Sequence, residues 1–358
     1  MKAGTGESSR PLRIAGNDRS ILVIKPSSLG DIVHTLPAVA AVRDANPEAE
    51  ITWVINPEWA PLLRGNRDID HVHIFPRGEF RAWRAPHRLL PWLAETRKLR
   101  PDVVLDFQGL LRSALIARAS GAPEIYGMSD GREGSRLFYH HVARVDRHAH
   151  AVERYLRLAE EFGASVQQPL RFPLPSGDPL PHFDSDQPFI LLHPFARGVG
   201  KSLTAETIDQ FCKAFDPMRV VVVGRSGMRL RQCDNCANLT NQTKLLQLVS
   251  LIRAARWTIS VDSGPMHIAA AVSSRLVSIH TWTDPRRVGP YNPNAVGWKN
   301  GELLTMRELA DAQLPKKRRA FRTSDVERIT ELVHYEISAA PEPPGSAQPG
   351  ANRRETSP

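Results

Sequence analysis

Three cysteines in 358 residues, Cys212, Cys233 and Cys236, are too few and too odd in number for a disulfide scaffold, and they fit a reducing compartment. No apolar run approaches the ~20 residues of a membrane-spanning helix. The opening MKAGTGESSRPLRIAGNDRS lacks the apolar core of a secretory signal. Neither G-x-G-x-x-G, nor Walker A, nor G-x-S-x-G occurs, so the common dinucleotide, P-loop and serine-hydrolase signatures are excluded. No zinc-finger spacing or RNA-binding aromatic motif accompanies the basic residues, and there is no short internal repeat. Cys233-x-x-Cys236 has no second ligand pair and no histidine close by, and the histidines at 140, 141, 148 and 150 have no acidic partner pattern. No metal is therefore expected.

What is present is length for two domains, 41% hydrophobic residues and a formal net charge of +9. Such a balance is compatible with nucleic acid, an anionic membrane face or phosphorylated substrates, and equally with a merely solvated basic surface. Much of it is scattered arginine, from Arg77, Arg81 and Arg84 to Arg112, Arg118, Arg132 and Arg136, with a later cluster Lys316-Lys317-Arg318-Arg319.

Apolar runs alternate with helical periodicity twice over. Strands are expected at 21–24, 51–55 and 103–107, a short apolar piece at 71–75, and helices at 31–45, 57–64, 87–99, 110–120 and 150–163. A proline-rich stretch, 166–187, reads as a linker. The pattern then restarts with strands at 189–193, 220–224, 257–262 and 275–280, helices after Ser202 or Thr204, at 245–255 and after Gly264, and a last helix at 324–337 with Ser324 as its cap. The expected organisation is a disordered leader (1–18), an α/β domain (19–165), the linker (166–187), a second α/β domain with the final helix (188–338), and a low-complexity tail (339–358). Two Rossmann-like halves facing each other across a cleft is the fold class.

Two loops carry chemistry. In ILVIKPSSLGDIVHTLP, 21–37, a buried strand runs through a Pro/Ser/Gly loop into a helix opened by Asp31. An acid there spoils a phosphate cradle. On residue type alone it caps the helix, and otherwise it is a base aimed at a neutral group. In VDSGPMH, 261–267, Gly264 allows close ligand approach, Pro265 suits the first helical position, and the free amides suit a phosphate, with His267 about one turn in. The long loop from 194 ends in Lys201, which could neutralise a diphosphate leaving group.

KPSSLGDIVHTLPAVAAVR, 25–43, resembles the amino-terminal signature of glycosyltransferase family 9, the ADP-heptose:lipopolysaccharide heptosyltransferases. DFQGLLRSALIARASGAPEIYGM, GREGSRLFYHHV, HAVERYLRL, LLHPFARGVGK, SVDSGPMHIAAAV and TDPRRVGPY continue the likeness in order from about 20 to 335. DFQGLLRSA is nearer the heptosyltransferase I form, which adds the first heptose, than the second-heptose form. The resemblance implies a GT-B fold and inverting transfer from an ADP-heptose donor to a Kdo-lipid A-type acceptor, with no cofactor, no metal and no nucleic acid. It implies Asp31 as general base, Lys201, Asp262, Ser263, Gly264 and His267 on the nucleotide sugar, and Ser28, Gly30, Gln108, Arg112 and Arg132 on the acceptor. A cytoplasmic protein in peripheral contact with the inner membrane is expected. The departures are on the donor side: Lys201-Ser202-Leu203-Thr204 for Lys-x-Trp-Pro, no acid in 225–229, Ser263 for threonine, and His280-Thr281-Trp282 for Tyr-Gly-Pro. Two readings stand beside this one: a family 9 transferase with another sugar nucleotide or a later core acceptor, and a non-catalytic sugar-nucleotide or nucleic-acid binder.

Overall fold

The computed structural model describes residues 19–78, 86–198, 200–315 and 317–339. The expected leader, the expected tail from 340 on, Arg81, Arg84 and Lys316 lie outside the described residues, while Ala339 is helical. Six parallel strands make the first sheet: β1 (Ser20–Ile24), β2 (Glu50–Ile55), β3 (His71–Ile74), β4 (Val103–Asp106), β5 (Glu124–Met128) and β6 (His141–Ala143), in the order β3-β2-β1-β4-β5-β6. Four helices flank it: α1 (Leu29–Ala45), α2 (Pro86–Lys98), α3 (Leu111–Ser120) and α4 (Ala151–Glu161). Alternation along β1 assigns the faces. Ile21 and Val23 pack with α1 and α4, and Leu22 and Ile24 with α3. Each such fully buried side chain is worth roughly 1.5–3 kcal/mol.

The second sheet repeats the plan with β7 (Phe189–His193), β8 (Arg219–Val222), β9 (Cys236–Asn238), β10 (Trp257–Val261), β11 (Leu276–Ile279), β12 (Val296–Lys299) and β13 (Glu302–Thr305). Their order is β13-β12-β11-β10-β7-β8-β9, with only β13 antiparallel to its neighbour. Its helices are α5 (Ala205–Phe215), α6 (Leu245–Ala254), α7 (Gly264–Val272), α8 (Pro285–Val288), α9 (Met306–Asp311) and α10 (Thr323–Ala339). Both sheets reverse strand order beside their first strand, which opens a crevice at the carboxyl ends where ligands of such sheets bind.

The apolar layer on α1 and α4 is continuous with that on α6 and α7, so the halves share one core, with α1 packed on α7. The α/β reading with two Rossmann-like halves is what the chain adopts. Several details differ. The expected helix 57–64 is a turn followed by a 3-10 segment, Ala60–Leu63, because Pro61 cannot supply a helical N–H. The helix expected from Asp31 begins at Leu29, with Ser28 as its cap residue and Asp31 inside the first turn. Ser324 is not a cap. It lies inside α10, and Asp325 instead accepts from the Arg322 N–H at 2.8 Å and from Arg319 at 2.8 Å. Strands β5, β6, β9, β12 and β13 are not among the expected strands.

The stretch 166–187 contains no helix or strand, yet it is no free tether. Arg171 pairs with Asp44 at 2.6 Å and Asp68 at 3.4 Å in the first half. Arg253 of α6 holds the Leu174 and Pro175 carbonyls at 3.0 and 3.2 Å in the second.

Candidate active site

Asp31 stands where β1 gives way to α1. Its Oδ2 accepts the Ser28 N–H at 3.1 Å and the Ser28 hydroxyl at 2.6 Å, so it does cap the helix. The other oxygen is not used for capping: Oδ1 accepts from the Tyr155 hydroxyl at 3.2 Å. Below it, buried Lys25 donates to Tyr155 Oη at 2.7 Å and to the Phe107 carbonyl at 2.8 Å. Burial by itself pushes the Asp31 carboxyl up. Lys25, the two Ser28 bonds and His267 together outweigh that and hold it below the usual carboxylate range. Burial also pulls the Lys25 ammonium down, opposed by Asp31 and Asp106. The result is an ionised carboxylate with Oδ2 held by Ser28 and Oδ1 by Tyr155, which is the protonation state a general base must be in before it takes a proton.

The other expected acceptor-side residues distribute along the same sheet edge. The Gln108 N–H is held by Asp106 at 2.9 Å, while its Oε1 is buried without a hydrogen-bond partner. The Arg132 N–H donates to the Gly109 carbonyl at 2.8 Å, which brings the loop after β5 onto the loop after β4. Arg112 lies apart from that mouth. It lines a cavity of about 710 Å³ with an apolar floor of Leu89, Leu93, Leu115 and Ile116, rimmed by Arg77 and Arg118.

In the second half Lys201, Asp262, Ser263 and Gly264 come together at the ends of β7 and β10. Lys201 Nζ is 4.0 Å from Asp262 Oδ2, which also accepts from Thr283 at 2.8 Å. Ser263 is the cap residue of α7, and its hydroxyl lies 3.1 Å from His193 Nδ1. The loop before Lys201 is pinned. Ser202 Oγ bonds the Ala196 N–H and carbonyl at 3.0 and 3.2 Å, and the Gly200 carbonyl accepts the Trp282 indole at 3.0 Å. The Arg318 guanidinium lies 3.4 Å above the Trp282 ring. Thus Trp282, a departure from the expected pattern, and Arg318 from the basic cluster form a clamp on the lysine loop.

His267 does not face an open mouth. It is buried against the first half, its Nδ1 2.9 Å from His34 Nε2. His150 completes the group, its ring centroid 4.8 Å from that of His34, with its Nε2–H donating to the Gly289 carbonyl at 3.1 Å. Burial pulls all three imidazoles down, His150 and His267 to about 4, so the three rings are neutral near pH 7. Gly30 is tied to the same contact: a Cβ there would stand 2.5 Å from His267 Cδ2, and one on Gly264 would stand 2.4 Å from Leu29 Cδ2. These glycines let α1 and α7 meet. Lys25, Tyr155, His34 and His150 are site residues that sequence reasoning misses. Lys25 sits in the quoted signature, and Tyr155 lies on an amphipathic helix where a core role was the natural reading.

A model of glycosyltransferase family 9 (heptosyltransferase) matches residues 93–317. Lipopolysaccharide heptosyltransferase 1 of Escherichia coli K12 is 27% identical over 300 residues, covering 76% of this chain and 91% of that one. Lipopolysaccharide heptosyltransferase 2 of the same strain is 27% identical over 312 residues, covering 77% and 86%. The structure of E. coli heptosyltransferase WaaC with ADP superposes with a TM-score of 0.67 at 22% identity, covering 88% of this chain and 99% of that one. The fold is therefore of the GT-B kind.

Proposed function

The chain belongs to glycosyltransferase family 9, and from that premise we propose that it moves a heptose from ADP-heptose to the Kdo region of the lipopolysaccharide inner core, the first-heptose step. The observation that carries this reading is the pairing of two unlike helix starts. At α1 a fixed carboxylate, Asp31, stands ready for a proton. At α7 free amides, Ser263 and nearby Lys201 suit a diphosphate.

In the proposed reaction the acceptor hydroxyl gives its proton to Asp31 as its oxygen attacks the anomeric carbon. The bond to the diphosphate breaks on the opposite face, and the configuration inverts. The transition state carries oxocarbenium character, and charge builds on the departing ADP. Lys201 and the α7 amides meet that charge, so the step needs no metal. Tyr155, held by Lys25, aims Asp31. Gln108 and Arg132, on the same edge as Asp31, suit the acceptor's hydroxyls and carboxylates. The arginine-rimmed cavity at Arg112 suits the more distant, anionic and apolar part of a lipid-linked acceptor, which implies work at a membrane face. Among the described residues no helix is long and apolar enough to cross a membrane, so that contact is proposed as peripheral.

A second reading, another sugar nucleotide in the same chemistry, is favoured by the Trp282–Arg318 clamp on the lysine loop. Mass-spectrometric transfer from ADP-heptose to Kdo-lipid A separates the two. One heptose added by the wild type and none by Asp31→Asn is the expected outcome. No product with this donor, but product with another nucleotide sugar, would move the assignment to the second reading.

A further inference from the structure

The fold brings Cys212 beside the Cys233-x-x-Cys236 pair. The three sulfurs lie within 4.8 Å of one another. Cys212 is buried near the end of α5, while Cys233 and Cys236 are half-buried. The pair forms a turn, with the Cys236 N–H donating to the Cys233 carbonyl at 3.0 Å, and β9 begins there. The Asn235 amide binds the Cys212 carbonyl at 2.7 Å and the Met218 carbonyl at 3.0 Å, which fixes the turn against the end of the helix.

We propose that Cys212, Cys233 and Cys236 form a thiolate site for a zinc ion. With metal–sulfur bonds of ~2.3 Å a tetrahedral ion sets its sulfurs ~3.8 Å apart, so the widest pair needs to close by ~1 Å at most. Asp209 is one turn upstream of Cys212 on α5 and is itself almost fully buried. Its carboxylate is not one of the ligand atoms that lie within 4.8 Å of one another, so a water fills the fourth position. Lys213 at 2.9 Å and Arg231 at 3.8 Å from Asp209 offset the negative charge that three thiolates leave on such an ion. Sulfur ligands favour zinc over the hard cations magnesium and calcium.

The site lies away from the residues assigned to transfer, and its work is structural. It would tie α5 to β9, the outer strand of the second sheet, and to the segment 225–235 that leaves β8. That segment follows directly on Gly224, where an added Cβ would stand 3.0 Å from His193 Nε2, and His193 in turn meets Ser263. The ion would thus fix the chain that borders one side of the donor edge. This inference stands on the cysteines alone and does not depend on the transfer reaction.

The test uses the full chain, produced with zinc and purified under reducing conditions, beside Cys233→Ser and Cys236→Ser. Both changes fall at a half-exposed turn, where the fold tolerates them. Elemental mass spectrometry is expected to find about one zinc per chain, and at least tenfold less in either variant. Chelation should lower the melting temperature of the wild type and leave that of the variants unmoved. Cobalt in place of zinc should give the near-ultraviolet charge-transfer absorption of cobalt–thiolate bonds, weaker for each cysteine removed. That absorption separates this site from adventitious binding at surface histidines. A wild type that binds neither zinc nor cobalt would overturn the proposal. So would a zinc content unchanged in both variants, or a disulfide found among the three cysteines in the freshly purified protein.

Discussion

Gly30 of α1 meets His267 of α7 across the junction of the two halves, so closely that a methyl group on Gly30 would stand 2.5 Å from the imidazole Cδ2. The contact puts the start of each chemistry-bearing helix against the other, and it makes the approach of the halves depend on a hydrogen atom at position 30. Gly30→Ala should therefore destabilise the protein by about 1–3 kcal/mol, the range for an overfilled core. His267→Ala in the same chain should restore part of that loss. Urea unfolding of the two single variants and the double variant measures the coupling, and strictly additive losses would contradict a direct contact.

Asp31→Asn keeps the shape of the helix cap but removes the proton acceptor. Turnover should fall by ~10²–10⁴-fold, the usual worth of a general base. ADP affinity, measured by calorimetry, should change less than threefold, by ~0.6 kcal/mol or less. Equal losses in both would assign Asp31 to nucleotide binding instead.

Lys25→Met tests what keeps Asp31 ionised. Burial is the largest influence on that carboxyl and pushes it up, while Lys25 leads the forces that bring it down. Without the ammonium, burial should win, and the acid limb of kcat/KM should move to higher pH. An acid limb at the wild-type position would mean that Ser28 and His267 suffice.

The histidine cluster predicts a pH-dependent stability. His150 and His267 titrate at about 4 in the fold because burial disfavours their charged forms. Unfolded, they titrate near 6.5. Between these values the unfolded chain binds more protons, so stability is complete above pH ~6.5 and is lost as pH falls toward 4. Lys25 and Arg154 add to the cost of charging the cluster, whereas Asp31 and Asp262 offset part of it at His267. For His150 alone the loss reaches about 3 kcal/mol. The melting temperature should drop steeply from pH 7 to 5, and His34→Leu, which removes one ring, should flatten the drop. A melting temperature flat over that range would contradict neutral rings at the junction.

Lys201→Ala should weaken ADP binding about tenfold, and less at high salt, where the charge is screened. Trp282→Ala should act in the same direction but more weakly, because it frees the lysine loop without removing the charge. Titration calorimetry with ADP checks both. A Trp282→Ala protein that binds ADP as tightly as the wild type would show that the clamp is irrelevant to the nucleotide.

The two-half α/β architecture was legible in the chain because runs such as Ile21–Ile24 and Val220–Val223 are apolar on both faces, as parallel strands between helix layers must be. The loops bearing Asp31 and Lys201 were legible because Gly, Pro and Ser interrupt those runs where α/β sheets place their ligands. Short strands such as Cys236–Asn238 were not, because three residues at a sheet edge carry no period.

Local hydrophobic period and backbone preference set the layers, the two sheet edges and the residue types at them. Which distant groups touch is fixed by the packing of the whole fold. It placed Lys25 and Tyr155 under Asp31, set the His34 ring edge-on against both His150 and His267, turned Trp282 onto Gly200, and carried Cys212 to Cys233 and Cys236. The reason is physical. A side chain's ionisation and aim depend on burial and on charges a few ångströms away, and those neighbours come from elements far apart in the chain.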